Sequence, residues 1–244
     1  NKNNLNNHLM QNVPIEGVPK NLKNTVFPFE YNNYEQLEKI VNQNDIGIIK
    51  MEVQRNSKPT NKFLEKIRKL SSSKSIVLIF DECTSGFRET FGGLHLKYNI
   101  QPDICIFGKA LGNGYAINAI IGKKSIMEAS KKSFISSTFW TERIGPSAAL
   151  QTLDSMKKLK SWEVISKIGK EIKKNWKDLA TLHGLKLDIL GLSSIPSFVF
   201  QTGKNLHYKT YITQEMLKKK FLASNLVFCS TAHDKKILDK YFDN

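Results

Sequence analysis

The chain has 244 residues, 40% hydrophobic and 24% charged, ordinary proportions for a globular protein that buries a core in one or two domains. Its formal charge of +15 is nearly all lysine scattered over solvent faces, with arginine only at Arg55, Arg68, Arg88 and Arg143; a specific nucleic-acid surface concentrates arginine with stacking aromatics, so that class is set aside. No apolar run reaches the length of a membrane span, and Cys83, Cys105 and Cys229 are odd in number and far apart, as in a reduced, cytoplasmic protein without disulfides or a paired-cysteine metal site.

The Asn-rich start, lacking an initiator Met and a signal-peptide core, reads as a piece of something longer. From Tyr34 the pattern is regular. Leu37, Ile40 and Val41 predict a helix over 34–42, and Ile46 to Met51 a strand ending at Glu52. Phe63, Leu64, Ile67 and Leu70 put one apolar stripe on a helix over 61–70. A strand ending at Asp81 follows, which makes a strand–helix–strand unit with Glu52 and Asp81 leaving the sheet at one edge. Next come strands ending at Phe107 and spanning 116–121, and a short helix over 125–131. A long helical region from Arg143 to about Leu182 is expected after that. Beyond it, strands at 185–190, 197–201 and 226–229 alternate with helices at 210–223 and 235–242. The style changes from α/β to α+β near Met156, so 1–156 and 157–244 are read as two domains.

Two of these strands carry chemistry. Ile76-Val-Leu-Ile-Phe-Asp81 ends an apolar run on a carboxylate, and Asp103-Ile-Cys-Ile-Phe-Gly-Lys109-Ala-Leu-Gly-Asn-Gly114 ends one on a lysine within a glycine-rich turn. Both run as buried parallel strands whose C-terminal ends face the edge where open α/β sheets place ligands. Glycines beside Lys109 let the backbone approach a flat ligand, and partial burial there suits a nucleophilic amine. An acid and an amine side by side suit pyridoxal phosphate: the lysine bonds the aldehyde, and the acid keeps the ring nitrogen protonated.

Asp81-Glu-Cys-Thr-Ser-Gly-Phe-Arg88, then Pro102-Asp103, then Gly108-Lys109-Ala-Leu-Gly-Asn-Gly114 together resemble the class III pyridoxal-phosphate aminotransferases, nearest to the glutamate-1-semialdehyde aminomutase branch. The resemblance implies a fold-type-I α/β enzyme: part of a large domain with a mostly parallel sheet, then a C-terminal α+β small domain. It implies that Lys109 holds the cofactor and moves protons, that Asp81 binds the pyridine nitrogen, and that Cys83 packs on the ring. It further implies that Thr138 reaches the cofactor phosphate of a neighbouring subunit, making a homodimer with shared sites, while Glu52 and Thr84 support. Arg88 is expected in a supporting ion pair. The partners implied are a small-molecule amino donor and a carbonyl acceptor, with no nucleic acid and no membrane. Transaminase and intramolecular aminomutase both stay open, as does a non-catalytic relative. Trp140-Thr-Glu-Arg143 departs from the Gly-Asn-Pro that many relatives carry there, and the family's N-terminal phosphate loop and stacking aromatic are not seen before Tyr34. The chain therefore reads as a C-terminal fragment, inactive alone. His233, Trp162 and Trp176 are read as structural, and the histidines show no metal-ligand spacing.

Overall fold

Three short segments in which every second side chain is apolar and buried pair side by side and begin the sheet. The structure, a computed structural model, describes residues 19–22, 24–139 and 141–244. The reading of the Asn-rich start, and Trp140 of the departing loop, lie outside the described residues. Strand β1 (Ile48–Met51) pairs in parallel with β2 (Val77–Asp81), which pairs in parallel with β3 (Ile104–Phe107). Strand β4 (Ala119–Gly122) closes the order β1-β2-β3-β4 and runs antiparallel to β3. Ala116 to Asn118, expected as strand, are spent on the turn out of the glycine-rich loop.

The period-two alternation gives the sheet two unlike faces. Ile49, Met51, Leu78, Phe80, Cys105 and Phe107 are buried in the main core, each large apolar side chain contributing roughly 2 kcal/mol. Lys50, Ile79, Asp81 and Ile106 alternate onto the other, more open face. Burial is therefore one-sided among the described residues, not two-sided as a fully buried parallel sheet requires.

Helix α1 (Tyr34–Gln43) is capped by Asn33, whose side chain accepts from Gln36 N at 3.0 Å. Helix α2 (Phe63–Ser73) packs Phe63, Leu64, Ile67 and Leu70 onto the core. It starts two residues later than expected because Asn61 and Lys62 take left-handed backbone, φ 50° and 55°. Asp103 ties this layer together. Its Oδ2 accepts from Leu78 N (2.8 Å) and Arg68 of α2 (3.0 Å), and its Oδ1 from Lys123 past β4 (2.7 Å).

The short helix expected over 125–131 is two pieces, α3 (Lys124–Met127) and a tighter turn at Glu128–Lys132. The long helical region breaks in two at Lys160, φ 46°, giving α4 (Ile144–Leu159) and α5 (Ser161–Leu182). A β5 (Leu187–Leu192)–β6 (Ile195–Phe200) hairpin lies against α5. The approach is so close that a side chain at Gly169 would meet the Ser193 backbone. A second apolar cluster forms here from Ile165, Ile168, Ile172, Trp176, Phe198, Cys229 and Leu238, while Leu192 and Ile195 join the first. The strand expected at 226–229 makes only a single bridge, Leu226 to Ser197. Helix α6 (Asn205–Lys218) runs five residues earlier at both ends than expected and is stopped by left-handed Lys220. Helix α7 (Lys235–Phe242) is capped by Asp234. Among the described residues no helix is long and apolar enough to cross a membrane.

Candidate functional site

Strands β2 and β3 are hydrogen-bonded neighbours with Asp81 opposite Ile106, so their C-terminal ends open at one place. The run of apolar residues carries Asp81 to the last position of β2, on the open face. Its Oδ2 pairs with Lys50 at 2.8 Å and its Oδ1 accepts from Cys83 N at 3.2 Å. Burial pushes the Asp81 carboxyl up, but the Lys50 ammonium and the Cys83 N–H outweigh it and hold it below the ordinary carboxylate range. It is therefore ionised at neutral pH and keeps acceptor capacity.

After Phe107 the chain passes through extended Gly108 into left-handed Lys109, φ 45°, and closes a tight turn through Leu111. A side chain at Gly108 would strike Asn118 and touch the Cys83 sulfur, so only glycine leaves this space open. Lys109 Nζ donates to Thr84 Oγ1 at 2.6 Å. Thr84, expected only as support, is thus the group that aims the amine. Lys109 itself is exposed, not partly buried as expected. Cys83 is half-buried, and burial followed by the Asp81 charge pushes its thiol up, against the pull of Lys109 and Lys50.

The remaining expected residues stand further out. Glu52 pairs with Arg55 at 3.1 Å, three residues along its own segment. Thr138 is exposed in a segment where Phe134 and Phe139 are exposed too, and it bonds neither Asp81 nor Lys109 among the described residues. Arg88 makes no ion pair among the described residues. Its Nε donates to the Thr84 carbonyl at 2.8 Å and its guanidinium lies 5.1 Å over the Phe228 ring. The stacking partner displaced the acid that the sequence suggested. His233 accepts from Ser230 N at 3.3 Å in a local turn, a structural role. Trp176 is buried and donates to Tyr241 at 3.0 Å, and Trp162 packs on Phe91 at 5.3 Å.

Two residues escaped sequence reasoning. Lys50 has a legible signal, since period two puts it on the face of Asp81. Glu82 has less: a second acid after Asp81, wholly buried. It accepts from Ser85 Oγ (3.0 Å), His95 N (3.0 Å) and Leu94 N, and pairs with His95 Nδ1 at 2.7 Å. Glu82, His95 and Cys105 bring ligand-type atoms within 4.8 Å, yet both carboxylate oxygens are already engaged, so the cluster is a brace for the 82–95 loop.

A cleft of about 660 Å³ lies beside Lys109. Its wall includes Arg88, the Gly112–Tyr115 turn, the inner side of α4, Ser161 and Thr231.

Residues 34–219 match the model of the aminotransferase class-III family. The chain belongs to that family. It is 31% identical to 3-aminobutyryl-CoA aminotransferase of Cloacimonas acidaminovorans (strain Evry), covering 81% of this chain and 50% of that protein. It is 33% identical to glutamate-1-semialdehyde 2,1-aminomutase of Nitrosopumilus maritimus (strain SCM1), covering 93% and 59%. Its fold is shared with FumI of Sphingopyxis sp. MTA144, solved in its PLP internal aldimine form, at TM-score 0.83 and 22% identity over 89% of this chain and 55% of that one. This class-III member thus spans little more than half the length of the proteins it matches, and the fold class is that of the fold-type-I enzymes.

Proposed function

We propose that this class-III family member binds pyridoxal phosphate at the C-terminal ends of β2 and β3 and transfers an amino group from a small-molecule donor to a carbonyl acceptor. The single observation that carries the reading is an ionised Asp81 at the end of β2 together with a Thr84-aimed Lys109 in the turn just after the neighbouring β3, where glycine at 108 leaves the space open. The residues fit the group. When bound, the cofactor supplies an aldehyde that takes up the amine and a ring that withdraws electrons from the substrate carbon.

Asp81 would hold the proton on the ring nitrogen. Cys83 would pack against the ring. Lys109 Nζ would hold the cofactor at rest, held in line by Thr84 Oγ1, and once released would move the proton at the substrate carbon, a contribution worth typically 10²–10⁴-fold. Glu52 would steady the end of β1 through Arg55. Thr138, exposed on a surface rich in exposed aromatics, would serve the phosphate of a second subunit, so the working unit would be a homodimer. The second apolar cluster, drawn wholly from residues past 157, supports treating 1–156 and 157–244 as large and small domains, with Leu192 and Ile195 packing onto the first. Three free cysteines suit a reducing, cytoplasmic setting.

A second reading is intramolecular transfer, favoured by the 33% identity to an aminomutase. Single-turnover reaction of the cofactor-loaded, full-length protein with a panel of amino donors separates the two. Loss of the visible cofactor band with one equivalent of released carbonyl product supports transamination. Rearranged amine without released carbonyl supports the aminomutase. An unchanged band with every donor would overturn both.

A further inference from the structure

Lys109 makes a single side-chain hydrogen bond among the described residues, to Thr84 Oγ1. Whatever fixes Thr84 therefore fixes the direction of the amine. Threonine is stiff about its Cα–Cβ bond, so its hydroxyl follows its backbone. The Thr84 carbonyl in turn accepts from Arg88 Nε at 2.8 Å. The short stretch between them is strained: Phe87 stands at φ 60°, a left-handed conformation that costs free energy for a bulky residue. Its ring is held against Phe107 of β3, 5.2 Å between centroids, and its N–H donates to the Gly92 carbonyl at 2.7 Å. One residue on, Arg88 folds back onto Thr84.

Arg88 is anchored from the far part of the chain. It is half-buried, and its guanidinium lies 5.1 Å over the Phe228 ring. A planar guanidinium donates in its plane and stacks through its face at once, which an ammonium does not. Phe228 is itself pinned on both sides. Val227 N donates to the Pro196 carbonyl at 3.0 Å and Cys229 N to the Ser194 carbonyl at 3.1 Å. The side chains of Val227 and Cys229 enter the second apolar cluster, and alternation sends the Phe228 ring the other way, onto Arg88. Glu89 adds a second tie, accepting from Ser194 N at 3.1 Å in the β5–β6 turn. Residues 84–89 thus touch the reactive amine at one end and the C-terminal part of the chain at the other.

We infer that Arg88 is a positioning residue for Lys109 and that Phe228 is its anchor, so that residues beyond 157 set where the amine points. This deepens the aminotransferase reading and rests on it for what the amine then does.

The test begins with the full-length protein free of cofactor, its lysines reductively methylated with isotope-labelled formaldehyde and observed by carbon NMR. The Lys109 methyl signal is assigned by its loss in Lys109→Ala. In the parent it should stand apart from the signals of solvent lysines. In Arg88→Met and Phe228→Leu it should move to join them, whereas Phe228→Tyr, which keeps the aromatic face, should leave it in place. The rate of cofactor capture, followed by the visible band, is the second readout. Arg88→Met should slow it about tenfold, less than the roughly 10²-fold that a misplacement of about 1 Å can cost. Phe228→Leu should slow it about threefold, the size of a cation–π contact. The double variant should be no slower than Arg88→Met, because Phe228 acts through Arg88.

An unmoved Lys109 signal in both Arg88→Met and Phe228→Leu overturns the inference, as do losses that add in the double variant. If Arg88→Met fails to fold, the two Phe228 variants decide, and equal behaviour of Leu and Tyr overturns it. If even the parent captures no cofactor, the aminotransferase reading fails by itself. The methyl signal then still decides whether Arg88 and Phe228 position the amine.

Discussion

Asp81 and Glu82 are adjacent in the chain and opposite in circumstance. Asp81 keeps 28% of its side chain exposed and holds one lysine and one backbone N–H. Glu82 has none exposed and is surrounded by the Ser85 hydroxyl, two N–H groups and the His95 ring. A carboxylate with every acceptor site filled fixes structure. One with capacity to spare, at the open end of a strand, is available to a ligand. The boundary between scaffold and site runs through a single peptide bond.

Exchanging the two roles by mutation gives the largest effects. Asp81→Asn should lower the rate of the amine half-reaction about 10²–10³-fold while barely moving the urea midpoint. Glu82→Ala should do the reverse. Removing one partner of a buried pair costs about 3 kcal/mol, read as a shifted urea midpoint with unchanged slope. If Asp81→Asn unfolds the protein and Glu82→Ala does not, the comparison is broken.

Next in size is acid sensitivity at Asp103, which belongs to the scaffold. Burial pushes its carboxyl up, but the Leu78 N–H, Lys123 and Arg68 outweigh that and hold it below the ordinary carboxylate range. A carboxyl depressed in the folded state adds stability above its unfolded pKa, about 3.9, and loses it as pH falls through the folded value. Stability of the parent should therefore decline below about pH 4. Asp103→Asn should be less stable at pH 7 by about 2 kcal/mol and show a flatter acid limb, followed by thermal melting across pH 2–7.

Smaller effects sharpen the picture of the open site. Lys50→Met frees Asp81 Oδ2 from an exposed ion pair. Cofactor affinity should rise about threefold, the worth of a weak surface pair, measured by equilibrium titration; a loss of affinity would show that Lys50 helps instead of competing. Thiol alkylation gives the smallest signal. Cys83 is half-buried, whereas burial pushes Cys105 and Cys229 up to about 12. Cys83 should be labelled first in the folded protein and shielded by cofactor, with the other two labelled only on unfolding.

The strand ends that carry Asp81 and Lys109 were legible because an apolar run stopped by a charged residue is a local signal, and so is glycine beside lysine. The helix break at Lys160 was not. Nothing but a left-handed φ at an ordinary lysine marks it. Residues 226–229 read as a strand because Val227 and Phe228 favour one, yet only Leu226 completes a bridge to β6. The Glu82–His95 pair spans thirteen residues, and its partner was fixed by the turn through Gly93, a long-range fact that spacing does not encode. Arg88 was expected beside an acid; its true neighbour, Phe228, lies far along the chain.

The central claim is that Lys109 is where the cofactor is held. Borohydride reduction of the cofactor-loaded full-length protein, followed by peptide mass spectrometry, tests it most directly. The account predicts one pyridoxyl group, on Lys109, absent from Lys109→Ala. An unlabelled Lys109, with label missing or spread over surface lysines, would contradict it.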